Sequence, residues 1–146
     1  MIVGIVGHEA SKFTAETEAR ARAYIRRVLS HKSTTGAVSG ACPLGGIDIW
    51  TREEAHALGV PFTEYPPRVN NWSHGYKPRN LQIATTSDAV VCIAVRVLPE
   101  SYTGMRFPAG CYHCGTPPDH HIKGGGCWTL KQAAKLGKPT HLEIIR

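Results

Sequence analysis

The chain has 146 residues, 42% of them hydrophobic, enough for one compact α/β core that folds without staples, so neither a second domain nor a disulfide framework is required. Seventeen Lys and Arg against eleven Asp and Glu leave a formal charge of +6, which favours an anionic partner: a phosphate, a nucleotide or a nucleic acid. No run approaches the roughly 18 consecutive apolar residues of a membrane helix and Met1 leads directly into an apolar run, so the expected location is the cytoplasm, with no membrane partner.

Residues 2–6 form a short apolar run closed by Gly7 and predict a buried central strand. Residues 14–30 predict a helix capped by Thr14. Ala19, Ala23, Ile25, Val28 and Leu29 share its apolar face, and Arg20, Arg22, Arg26 and Arg27 fall largely on the other, which reads as a solvated face. A second strand is predicted over residues 36–39. It breaks into the glycine-rich turn Gly45-Gly46-Ile47-Asp48, and residues 53–58 lie in the helix that follows, stopped by Gly59. Residues 60–65 predict a third strand, 70–75 a polar loop, and Pro78 the first turn of a helix through Ile83 and Ala84.

The most strand-like segment is 89–97, continuous and β-branched, hence central. From 98 to 123 the pattern dissolves into Pro, Gly, Cys and His, an insertion after the carboxyl end of a central strand, where ligand loops of α/β folds sit. Gly124-Gly125-Gly126 then opens a helix stopped by Gly137, and residues 140–145 give a last strand. Strands alternating with helices predict a single Rossmann-like, three-layer α/β domain over residues 1–146 with a mostly parallel sheet.

Small residues after strands admit close backbone approach, and a helix N-terminus stabilises negative charge. Gly7-His8, Ser39-Gly40-Ala41 and Gly124-Gly125-Gly126 are therefore candidate phosphate turns, with Thr129 adding a hydroxyl. Ordinary tight turns remain the plainer reading of the first two. Arg79 supplies a charged fork to phosphate and Asn80 fixes orientation. Trp72, His74 and Tyr76, interleaved with Arg68, Lys77 and Arg79, are placed to stack a base, or else to pack their own loop.

Five cysteines, an odd number, read in that compartment as reduced thiols or metal ligands. Cys111 and Cys114, a His from His120-His121, and Cys127 resemble a zinc knuckle, with His113 in reserve. A Pro/Gly-rich insertion buries too little to hold itself together, and a structural zinc would fold it. Were Cys127 not a ligand, the open position would serve to activate water. Cys42 and Cys92 read as turn or core residues.

The order of motifs Val38-Ser39-Gly40-Ala41, Gly46-Ile47-Asp48, Tyr65-Pro66, Pro78-Arg79-Asn80-Leu81-Gln82-Ile83-Ala84, Ser87-Asp88-Ala89-Val90-Val91 and the glycine-rich turn before a helix resembles the SLOG superfamily. The resemblance covers the chain apart from the Cys/His insertion. It implies a Rossmann-like fold and a nucleotide-derived ligand. The serine-glycine, glycine-isoleucine-aspartate and proline-arginine-asparagine patterns are similar to those of the DNA-processing protein A branch, which binds single-stranded DNA. The glycine run and Thr129 are similar to the Lonely Guy phosphoribohydrolase branch, which cleaves an N-glycosidic bond with the help of a glutamate. Lys131 and Gln132 stand where that branch carries its acid, leaving Glu53, Glu54 or Asp48 as replacements.

The expectation is therefore a module that binds or senses a nucleotide or nucleotide-derived small molecule. A nucleotide-processing hydrolase is the first alternative and single-stranded nucleic-acid binding the second. The sequence leaves a homo-oligomer open.

Overall fold

A computed structural model describes residues 1–146. Five strands, β1 (Ile2–Gly7), β2 (Gly36–Ser39), β3 (Phe62–Glu64), β4 (Ala89–Val95) and β5 (Thr140–Ile145), alternate with the helices α1 (Ala15–Leu29), α2 (Ile47–Leu58), α3 (Lys77–Thr86) and α4 (Gly126–Lys135). The sheet is parallel throughout, in the order β3-β2-β1-β4-β5. This is the single Rossmann-like α/β domain expected.

Alternation along the strands builds two cores. Val3 and Ile5 of β1, with Val91, Ile93 and Val95 of β4, pack on one face with Ala21, Ile25 and Leu29 of α1 and Ile47, Trp50 and Ala55 of α2. Val6, Val38, Val90 and Cys92 point to the other, against Ile83 and Ala84 of α3 and Cys127 and Ala133 of α4. The chain runs outward from β1 through β2 to β3 and then crosses back to β4 on the far side of β1. A crevice opens where that direction reverses, at the carboxyl ends of β1 and β4.

Local chemistry sets the helix limits. Thr14 caps α1: its hydroxyl accepts the Thr17 N–H at 3.1 Å while Thr17 Oγ1 accepts the Thr14 N–H at 2.8 Å. The arginine face of α1 is only partly solvated. Arg22 and Arg26 pair with Glu54 at 3.2 and 3.1 Å, and Arg22 also reaches Glu53 and lies 5.4 Å over the Trp50 ring, so these side chains line the seam with α2. Glu54 is buried and its arginine partners only partly so, and pairs of this kind fix how the two helices lie more than they add net stability.

Three boundaries differ from expectation. β3 is limited to three residues because it is an edge strand that pairs only with Ala37, Val38 and Ser39. β4 ends at Val95, beyond which Val97 projects into solvent. The predicted loop at 70–75 contains a wide helical turn, Trp72–Tyr76, in which Asn71 O accepts the Tyr76 N–H at 2.9 Å and the Asn71 side chain caps His74 at 2.8 Å. Asn71 supplies the start signal there, and the turn runs straight into α3.

At Gly7 the backbones of β1 and β4 and the α2 side chain Ile47 meet so closely that an added methyl would strike the Ile93 carbonyl and Ile47. Gly7→Ala is expected to cost about 1–3 kcal/mol by overpacking, read as a lower urea midpoint at unchanged slope.

Candidate functional site

The crevice at the carboxyl edge holds a cavity of about 550 Å³. Val6 and Gly7 form its floor. The loop after β2 contributes Cys42, and α2 contributes Asp48. Trp72, Tyr76, Arg79 and Asn80 come from the wide turn and α3. The insertion supplies Tyr112, His113 and Lys123, and Gly125, Gly126 and Trp128 come from the start of α4.

Arg79 is buried, and its guanidinium ties three loops together. Nη1 donates to the Gly40 carbonyl, to Asp48 Oδ2 at 3.4 Å and to the Tyr65 carbonyl at 3.5 Å; Nε donates to Asn80 Oδ1 at 2.7 Å; and the Tyr76 ring lies 5.2 Å away. Gly40 is a glycine for this reason, since a methyl there would occupy the position of the guanidinium. Asp48 also accepts from Ser39 Oγ at 3.1 Å and from the Cys42 N–H at 3.2 Å. Burial pushes the Asp48 carboxyl above its ordinary range, against the opposing pull of Arg79, Ser39 and the Cys42 amide.

Of the sequence-derived candidates, Gly7, Asp48, Arg79, Asn80, Gly125 and Gly126 thus line one cavity. Ser39, Gly40, Ala41, His8, Gly124 and Thr129 stand behind it. The Ser39 hydroxyl has its one proton shared between the Ile5 carbonyl at 2.6 Å and Asp48 Oδ1 at 3.1 Å, and Thr129 is fully buried within α4. Gly124 packs on the His8 ring. Trp72 and Tyr76 reach the cavity, whereas Arg68, His74 and Lys77 do not. Glu53 and Glu54 lie in the α1–α2 seam, held by arginines, so Asp48 is the single carboxylate of the lining. Tyr112, Lys123 and Trp128 went unread in the sequence. A tryptophan following Cys127 at a helix start was the one available signal.

The second constellation adjoins the first. The ligand atoms of Cys111, Cys114, His121 and Cys127 lie within 4.8 Å of one another and could hold a metal ion. His121 Nε2 is 3.7 Å from Cys114 Sγ and 3.4 Å from Cys127 Sγ. This selects His121 from the expected His120-His121 pair. His120 stands outside the group, its Nδ1 being 2.7 Å from Nδ1 of His121; a His121 that carries its proton on Nδ1 and donates it to His120 would have Nε2 free to coordinate. His113 joins the cavity instead.

Burial raises the Cys111 thiol, but the N–H groups of Gly124, Cys114 and His113 directed at its sulfur outweigh burial and hold it below the ordinary value. Cys114 is pushed up by burial and by Cys127, and Cys127 by its contact with Cys92 and by burial. An ion there would take up the charge of the thiolates. No helix of the chain is long and apolar enough to cross a membrane. Comparison of the chain with protein-family models, with curated proteins and with solved structures found no match.

His121→Ala is expected to abolish metal retention, measured by elemental analysis of the purified chain, whereas His120→Ala should weaken it about 10–100-fold in chelator competition. Equal losses would remove the distinction between the two histidines.

His8 braces the crevice, accepting the Val95 N–H on Nδ1 at 3.0 Å. Burial, reinforced by the charges of Lys12 and His121, pushes its pKa down to about 3. The unfolded chain therefore binds the extra proton first, so stability is full above the ordinary value of 6.5 and falls as pH drops towards 3, by up to about 1.4 kcal/mol per pH unit. Urea unfolding from about pH 7 to about pH 4 should show a shallower acid loss in His8→Gln than in the parent.

Proposed function

We propose that the chain binds a nucleotide or nucleotide-derived small molecule in the carboxyl-edge cavity, as a binding or sensing module of the SLOG superfamily, with Cys111, Cys114, His121 and Cys127 holding a structural zinc ion. The observation that carries this reading is the meeting of hydrogen-bond donors and aromatic rings around Gly125. Asn80 spends its carbonyl on Arg79 and keeps its amide nitrogen free beside Gly125, next to the positive end of α4. Backbone N–H groups at a helix start and a buried guanidinium suit a phosphate. The Trp72 ring adjoins the same glycine, Trp72 and Trp128 meet edge-to-face with centroids 5.3 Å apart, and His113 adjoins Trp72 at 6.4 Å, a surface suited to a base.

The donor set supports zinc. Three thiolates and an imidazole are ligands that tetrahedral zinc prefers, and bonds of about 2.3 Å to sulfur and about 2.0 Å to nitrogen set sulfur and nitrogen about 3.5 Å apart. The 3.4 and 3.7 Å separations match that edge. Four protein ligands close the site, which favours a structural role over water activation. Binding is favoured over hydrolysis because Asp48, the cavity's one carboxylate, is already engaged by Ser39, Cys42 and Arg79.

Calorimetric titration of the metal-loaded chain with nucleoside monophosphates of the four common bases tests this. Trp72→Ala should weaken the preferred nucleotide by about 1–3 kcal/mol, the worth of one stacked base, without release of free base on prolonged incubation. Absence of binding to any nucleotide overturns the reading. Base release that vanishes in Asp48→Asn would move it to hydrolysis.

A further inference from the structure

The polar groups around the cavity are unevenly divided between donors and acceptors. Asp48, the one carboxylate of the lining, already holds the Ser39 hydroxyl, the Cys42 N–H and Arg79. Asn80 Oδ1 is taken by Arg79 Nε at 2.7 Å. Carbonyls of the adjoining turns are engaged as well: Gly40 and Tyr65 by Arg79, Cys42 by the Gly45 N–H at 3.0 Å, and Gly125 by the Trp128 N–H at 3.1 Å. Among the lining side chains, the acceptors left to a ligand are the Tyr76 and Tyr112 phenol oxygens, one ring nitrogen of a neutral His113, and the weakly accepting Cys42 sulfur.

The unspent donors are stronger. Asn80 is 6% exposed, and its amide nitrogen, which has no partner in the protein, lies 3.9 Å from where a Cβ on Gly125 would stand. Such a donor in a nearly closed place is costly until a ligand acceptor meets it. Lys123 lines the cavity without an ion-pair partner; its ammonium rests on the Phe107 and Tyr112 rings, 4.7 and 5.1 Å from their centroids. Trp72 and Trp128 add indole N–H groups, which only donate.

Contacts connect these groups in one row. Gly125 lies against the Trp72 ring, Trp72 adjoins His113 at 6.4 Å, and His113 adjoins Tyr112 at 4.4 Å, the ring on which Lys123 rests. Lys123 thus stands with the rings suited to the base. An ammonium has protons and no lone pair, so it attracts a carbonyl oxygen and repels an exocyclic amine. No carboxylate of the lining is free to hold that amine instead.

Resting on the reading that a nucleotide occupies the cavity, we propose that the site selects an oxo base, one with a carbonyl oxygen where adenine or cytosine carries its exocyclic amine, and that Lys123 reads the difference. The ligand class is a uracil, thymine or hypoxanthine nucleotide.

The test is calorimetric titration of the metal-loaded full chain with two matched pairs, uridine against cytidine monophosphate and inosine against adenosine monophosphate. Within each pair the phosphate, the sugar and the size of the base are constant. The oxo member of each should bind about tenfold or more tightly. Lys123→Met keeps a stem of similar length against Phe107 and Tyr112 and removes the ammonium. It should weaken the oxo members about tenfold and leave the amino members unchanged, whereas Lys123→Arg should retain the preference.

Equal affinity within either pair, or preference for the amino member, overturns the proposal and leaves the nucleotide reading standing. So does a preference that Lys123→Met leaves intact, whether both members weaken equally or neither does. Absence of binding to every nucleotide removes that reading and this one with it. If Lys123→Met does not fold, the matched pairs in the parent chain and in Lys123→Arg decide, and loss of the preference in either overturns the proposal.

Discussion

The carboxyl edge of the sheet depends on the burial of one guanidinium. Arg79 reaches from α3 to the Gly40 and Tyr65 carbonyls, which follow β2 and β3, and to Asp48 at the head of α2. Four segments distant in sequence are thus referred to a single planar group whose donors diverge in fixed directions. A buried pair of this kind adds little net stability over an apolar substitute, but loss of one partner strands the other, at a cost of about 3–5 kcal/mol. Its contribution is position. The donors that face the cavity stand on groups whose places Arg79 sets.

The insertion is the other constraint, and it shares chain with the cavity. Tyr112 and His113 sit between the two cysteines of the Cys-x-x-Cys element, Lys123 lies between His121 and Cys127, and Cys127 is in the first turn of α4. The metal group and the wall of the cavity are therefore one run of backbone. Ordering either orders the other, and the free energy of that order is common to both.

What the sequence disclosed follows this division. The strands were readable because burial on both faces demands continuous β-branched runs, as at Val90 to Val95, and the cysteines because Cys111 and Cys114 stand at ligand spacing. Arg79 and Asp48 were legible as important residues, but not as partners of each other, since thirty residues separate them and neither is placed by periodicity. His120 and His121 are indistinguishable as letters; only the ring orientation separates the ligand from its support. Tyr112 and Lys123 lie in a segment with no repeating pattern, so nothing local fixed the face they present. The arginines of α1 misled for a related reason: a helical wheel marks a polar face, and it cannot show that Glu54 lies opposite.

The position of Cys127 bears on how such a chain can change in length. Because one residue is both a member of the group that could hold a metal and part of the opening turn of α4, an ion there would clamp the stretch from Cys111 to Cys127 at each end and at two points between. Adding or deleting a residue there would rotate the helix start against its sulfur. The stretch before it, from Arg96 to Gly110, has no such clamp and leaves Val97 and Met105 in solvent. Gains and losses of residues among related chains should therefore collect in the first half of the insertion, and the second half should keep its length even where its composition drifts.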